Sequence, residues 1–255
     1  PVFDGQFSNQ CYQDAVEEAF RDFRSKAITD GRWDPDGETV LTEDWARIIM
    51  HLPYAFQAKR MFPAVFAYER RGSASWTDVE AEIGLPPSID DFDDTPEGQA
   101  EHAKAMDGYR RSISKTQAYR DFHADRIEKG QRASSLIGNQ YTGSIFLAMM
   151  STFESDYEAD SPLDGRQFGL CGYGSGAKAK VFEGIVSDRW REVVASWNLF
   201  ERMAGRMAID QVTYELLHKG IHDGSVLNPR GEFALVEIEG GEGVLEGART
   251  YAWVE

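Results

Sequence analysis

The chain has 255 residues, 42% of them hydrophobic, and a formal net charge of −16 from 43 acidic and 27 basic side chains. That supplies one large domain or two small ones, and the charge excludes a general nucleic-acid-binding face, which needs a basic surface. Two cysteines exclude a disulfide scaffold, and no apolar run reaches the ~18 residues of a membrane span.

A turn at Asp4-Gly5 closes an opening loop over residues 1–9, and Ser8 or Asn9 is placed to cap the first helix. Tyr12, Ala15, Val16, Ala19, Phe20, Phe23 and Ala27 recur at helical spacing, predicting an amphipathic helix over Gln10–Ala27. After a turn-rich loop at 31–37 and a short capped segment from Thr42, the apolar run Ala46–Met50 reads as a buried strand ending at His51. Pro53 opens a second helix, Tyr54–Glu69. Strand, polar residue, helix start is the usual place for a functional group in an α/β protein.

Trp76–Ile83 reads as a short helix, and the acidic, proline-containing stretch 85–97 as a solvated loop. Residues 99–129 are helical, broken near 112–115. Ser144–Phe153 is a buried helix; Gln167–Cys171 and Ala177–Val186 are strands around a glycine turn. Asp188–Phe200 is helical. Asp210 caps a helix to His218, and Phe233–Ile238 pairs antiparallel with Thr250–Val254.

Candidate chemistry concentrates at 138–176. Asn139 stands just ahead of a helix N-terminus, and Ser175 sits in the turn G-Y-G-S-G. Glycines let a backbone approach a ligand, and helix N-termini favour developing negative charge. Both residues can address one carbonyl. His51 suits proton transfer near neutral pH. Lys59 and Arg60, in the helix that follows, can meet a phosphate or simply form a solvated face. Cys11 and Cys171 read as small hydrophobes rather than nucleophiles. His218 and His222 share helical spacing but lack a third ligand and are interrupted by Gly220, so no metal site is assigned. His102 and His123 read as surface residues.

In this order, P-V-F-D-G-Q-F-S-N-Q-C-Y, M-H-L-P-Y with K-R after it, G-N-Q-Y-T-G-S and Y-G-S-G-A resemble the C-terminal half of 3-hydroxy-3-methylglutaryl-CoA synthases of the thiolase superfamily. The acidic stretch resembles archaeal forms from salt-loving organisms. The resemblance implies an α/β, thiolase-like fold, a mixed sheet covered by helices, with one C-terminal domain over 1–255 and a helical acidic insert at 72–130.

The resemblance also implies the chemistry: acetyl-CoA condenses with acetoacetyl-CoA through an acetylated cysteine and a glutamate base. His51 then matches the histidine that binds the acetoacetyl thioester, Asn139 the asparagine on its carbonyl, and Ser175 the serine shaping the pocket. Tyr54, Tyr141 and Tyr173 in the same motifs fall with the substrate contacts. Lys59 and Arg60 fall among basic contacts to CoA, whereas Phe56 replaces a family lysine. No cofactor beyond the CoA thioesters is implied.

The family's cysteine and glutamate belong to an N-terminal half that this sequence lacks, and P-V-F-D-G reads as mid-domain. The expectation is a half-enzyme whose other half lies upstream or on another chain, inactive alone, cytoplasmic, homodimeric when complete, and without membrane or nucleic-acid partners. The rival readings are a polyketide β-branching synthase acting on carrier-bound acyl groups and a non-catalytic CoA-binding scaffold.

Overall fold

The computed structural model describes residues 4–34, 40–174, 176–222 and 225–255, with the backbone alone at Gln6. Two compact units divide the chain, one to Phe200 and the other from Glu201.

The first unit is built on a three-stranded mixed sheet in the order β1-β2-β3. β1 (Arg47–Met50) runs parallel to β2 (Gln167–Gly174), pairing Arg47 with Phe168 and Met50 with Cys171. β2 pairs antiparallel with β3 (Lys178–Ile185), from Gln167 opposite Ile185 to Gly174 opposite Lys178. β2 runs on through glycines that the sequence assigned to the turn, because their backbones complete the β3 ladder.

Successive strand residues face opposite sides. Tyr173 packs on Tyr12 of α1 (Gly5–Thr29), with ring centroids 4.7 Å apart. On the other face, Phe168 meets Phe153 of α8 (Ser144–Glu158) edge-on at 5.2 Å. The sheet is therefore sandwiched between the first helix and the buried helix.

The apolar stripe of α1 forms as its spacing predicts, with Tyr12, Val16, Phe20 and Ala27 at most 2% exposed. The helix starts earlier than Gln10, however. Asp4 accepts from the Phe7 N–H at 3.0 Å, so Asp4 does the capping expected of Ser8 or Asn9, and the opening-loop reading fails there. Part of the loop at 31–37 lies outside the described residues.

After α2 (Leu41–Asp44) and β1, α3 (Gln57–Arg70) begins three residues later than read, since a turn follows Pro53. α4 (Ala74–Ile83), α5 (Pro96–Ile113), α6 (Gln117–Arg126) and α7 (Glu128–Ile137) follow. The predicted break near 112–115 separates α5 from α6, where Thr116 caps the new helix. Within 85–97, Ile89–Asp91 forms a single 3-10 turn closed by a capping box from Ser88.

This charged region also feeds the core, through Tyr109, Ile113 and Tyr119. His123 belongs with them at 4% exposure, against the surface reading. The α6 face bearing Tyr119 and His123 turns inward, and Gln131 of α7 meets the imidazole at 2.7 Å. His102 is half-buried against Phe92.

An ion cluster closes the other end of β1. Arg47 makes two bonds of 2.6 and 2.7 Å to the fully buried Asp156, which Lys129 also contacts. Burial pushes the Asp156 carboxyl up, but hydrogen bonds from Arg47 and Lys129 outweigh it and hold the group below its ordinary range. The helical reading of 188–200 is interrupted: α9 (Trp190–Val194) stops before Asn198, which takes a left-handed φ of 50°. α10 (Leu199–Ala204) follows, and the Glu154 carboxylate accepts from the Leu199 and Phe200 N–H groups at 2.9 Å.

In the second unit, Asp210 caps α11 (Gln211–His218), and β4 (Glu232–Ile238) pairs with β5 (Arg249–Val254) as read.

Candidate functional site

β1 delivers His51. The His51 N–H donates to the Cys171 carbonyl at 2.8 Å, carrying the ladder one residue past the strand, and its carbonyl accepts from the Tyr12 hydroxyl at 2.9 Å. With both backbone groups held, the imidazole stands on a fixed root. Its ring is 6.2 Å from that of Tyr173. Burial lowers its pKa, so at pH 7 it is neutral, one nitrogen donating and the other accepting. Burial, then the nearby Cys171, Tyr173 and Tyr54, pushes the Tyr12 phenol well up, so it stays a donor.

His51 opens onto a cleft of about 1230 Å³. Its walls come from the start of α1, the Pro53-Tyr54 turn, residues 139–146 and the end of the β2–β3 hairpin. His51, Asn139, Tyr54, Tyr141 and Tyr173 all line it.

The polarity of Asn139 follows from its partners. Its side-chain oxygen accepts from the Tyr141 N–H at 2.7 Å and from the Ser144 hydroxyl at 2.9 Å. A backbone N–H can only donate, so that atom is the oxygen. The Asn139 NH2 then has no partner among the described residues and is left as a donor. The same contacts tie Asn139 to α8, whose first residue, Ser144, is fully buried.

Tyr141 holds φ at 49° and is 77% exposed, and Ala177 across the cleft holds 53°. Left-handed backbone at non-glycine residues costs on the order of 1 kcal/mol or more and gathers at ligand sites.

Ser175 lies outside the described residues; its neighbours Gly174 and Gly176 line the cleft. Lys59 and Arg60 do not line it. They border an adjacent depression of about 810 Å³ with Arg110, Arg111 and Lys115, and Phe7 and Asn9 line both spaces. Arg60 Nη1 donates to the Tyr54 hydroxyl at 3.2 Å, linking the two.

Cys171 is fully buried behind the cleft, its thiol pushed up to about 12 by burial, which suits a packed hydrophobe. Cys11, half-buried, stands on the cleft wall rather than in the core. Tyr12 and Gln57 escaped the sequence reading. Tyr12 was hidden in an apolar stripe where an aromatic reads as core. Gln57 carried one available signal, a polar residue that opens a helix close after His51.

The family model for "Hydroxymethylglutaryl-coenzyme A synthase C terminal" matches residues 1–220. The hydroxymethylglutaryl-CoA synthase of Haloferax volcanii is 31% identical over 218 residues, 86% of this chain and 46% of that protein. The Saccharomyces cerevisiae enzyme of the same name is 23% identical over 240 residues, 91% of this chain and 45% of its own. Among solved structures, MvaS in complex with 3-hydroxy-3-methylglutaryl coenzyme A superposes with a TM-score of 0.69 at 26% identity, covering 100% of this chain and 52% of that one. The Curacin pathway HMG synthase with holo donor-ACP shares the fold at a TM-score of 0.61 and 17% identity, over 99% of this chain and 51% of that one. The chain thus spans about half the length of the curated relatives it matches. The thiolase-like fold, the motif order and the family match converge, and the chain belongs to the hydroxymethylglutaryl-coenzyme A synthase C-terminal family.

Proposed function

We propose that this chain forms the acetoacetyl-thioester side of a hydroxymethylglutaryl-CoA synthase, with the nucleophilic cysteine and glutamate base supplied by an N-terminal half. The observation that carries this is the shared cleft of His51, whose backbone is pinned on both sides, and Asn139, whose side-chain oxygen is already engaged, so that each can turn an N–H toward one ligand. In this reading the ketone oxygen of the acetoacetyl group lies between them, with Ser175 completing the pocket. The glutamate removes a methyl proton from the acetylated cysteine. The resulting carbanion adds to the ketone carbon, and the carbonyl electron pair moves onto oxygen. Fixed N–H donors stabilise that developing alkoxide more than they stabilise the ketone, which lowers the barrier. The alkoxide takes up a proton with His51 assisting, and water then hydrolyses the thioester to the cysteine, releasing the product carboxylate and the free thiol. Acetyl-CoA and acetoacetyl-CoA are the substrates, no further cofactor is needed, and the complete enzyme is a cytoplasmic homodimer.

Neither cysteine of this chain is read as the nucleophile: Cys171 is inaccessible and its thiol is driven up, and Cys11 lacks the family motif. The isolated chain should therefore show no turnover. Co-expression with an N-terminal half restores it, and His51→Ala in that complex lowers kcat by roughly 10²–10³, the usual cost of losing one oxyanion donor. Turnover by the chain alone, or an unaffected His51→Ala complex, refutes the assignment.

A specific observation also favours the carrier-protein reading. The cationic depression beside the cleft suits an acidic carrier as well as CoA phosphates. Competing acetoacetyl-CoA against a carrier-bound acetoacetyl group in the same complex separates the two. Binding of CoA with no turnover in any complex would leave the scaffold reading.

A further inference from the structure

Gln57 opens α3 and is 1% exposed, yet its side-chain oxygen is buried without a hydrogen-bond partner. Its side-chain nitrogen has no partner among the described residues either. The residue lines the cleft on the same stretch as His51, Pro53 and Tyr54. A buried carbonyl oxygen left without a donor is costly, and an apolar side chain of similar size would avoid that cost. Such a group points to a partner that arrives from the cleft.

The chemistry of that partner follows from what is unsatisfied. A carboxamide offers an N–H donor and a carbonyl acceptor side by side. A phosphate or carboxylate could use only the donor, and a ketone the same. A secondary amide presents the complementary acceptor and donor together. Position agrees: along the chain Gln57 lies between His51, assigned to the reacting carbonyl, and Lys59 and Arg60, which border the cationic depression. The two spaces share Phe7 and Asn9, so a ligand with its thioester at His51 and its phosphates among the cations runs from the cleft that Gln57 lines into the depression, and its middle lies in the part of the cleft leading there. In a CoA or carrier thioester, that middle is the amide-bearing pantetheine arm.

We infer that Gln57 is a substrate-binding residue that pairs with an amide of the pantetheine arm and so sets the register of the thioester against His51 and Asn139. The inference rests on the proposed thioester-binding function.

The test pairs a side-chain change with a ligand change. Gln57→Leu keeps bulk and removes both hydrogen-bonding atoms. The ligands are acetoacetyl-CoA and two analogues in which each arm amide is replaced in turn by an ester, which lacks the N–H. Equilibrium binding to the chain is measured for all three. The wild-type chain should bind one ester analogue about 5–10-fold more weakly than the parent, and Gln57→Leu should bind that pair equally. Thermal unfolding of the free Gln57→Leu chain should be unchanged or raised, since no internal bond is lost. Equal discrimination by wild type and variant overturns the role of Gln57 while leaving the thioester function standing. A lowered melting temperature also overturns it, because the carboxamide would then be satisfied within the protein. Absence of binding by any CoA thioester to the wild type overturns the proposed function and this inference with it.

Discussion

His123 makes the stability of this chain sensitive to mild acid. The imidazole is 4% exposed, sits among Tyr119 and Gln131, and accepts from the Gln131 amide at 2.7 Å. Burial, reinforced by the nearby Lys59 charge, pushes its pKa down to about 4 from an ordinary 6.5. An unfolded chain binds a proton at this residue near pH 6.5, and the folded chain resists until about 4. Between those values the unfolded state holds more protons, so stability falls as pH falls. At 1.36 kcal/mol per pH unit the full difference is about 3 kcal/mol, a sizeable part of a typical 5–15 kcal/mol.

Urea unfolding between pH 7.5 and 4 provides the assay. His123→Phe keeps an aromatic body but cannot charge, and should flatten the pH slope relative to wild type by most of that amount. His51, shifted in the same direction, contributes to both proteins and cancels in the difference. Glu69, whose carboxyl burial raises it, acts in the opposite sense just above pH 4.5 and cancels too. The Asp156 contribution is lost only below its ordinary pKa and lies outside the window. Parallel slopes for wild type and His123→Phe between pH 6.5 and 4 would refute the reasoning.

Tyr12→Phe removes the hydroxyl that holds the His51 carbonyl while keeping the ring against Tyr173. It should cost about 1–3 kcal/mol in urea unfolding, the penalty for stranding a buried acceptor, and an unchanged midpoint would show that the carbonyl finds another donor. Gly169→Ala places a Cβ 2.2 Å from the buried ring of Trp45. The variant should lose about 3 kcal/mol or more, or fail to fold, with partial recovery on Trp45→Leu; a fully stable Gly169→Ala would mean the strand can move away.

Much of this was legible because it was periodic or local. The α1 stripe, β1, the 112–115 break, the Asp210 cap and the closing hairpin all announce themselves through spacing or a capping residue. Boundaries were lost where a distant partner decides them. The glycines at the end of β2 read as a turn because only β3 shows that they are strand. His123 read as surface because its neighbours in sequence are charged, whereas burial comes from the helix face it shares with Tyr119. In the site, the resemblance named His51, Asn139 and the three tyrosines, and the structure places them on one cleft. The pinning by Tyr12 and the unpaired carboxamide of Gln57 are tertiary facts. Lys59 and Arg60, which the resemblance places among basic contacts to CoA, border the depression beside the cleft.

In a chain with 43 acids and 27 bases, the described lining of the cleft includes no Asp, Glu, Lys or Arg, while the adjoining depression brings together Lys59, Arg60, Arg110, Arg111 and Lys115 against Asp4 and Asp107. Charged and uncharged linings are thus separated in space. At 1 M salt, screening shortens the reach of the cations to about 3 Å, whereas short hydrogen bonds inside the cleft are little affected. If the chain binds a thioester as proposed, ionic strength governs how readily a polyanionic ligand is gathered in and leaves intact the hydrogen bonds that meet its acyl end.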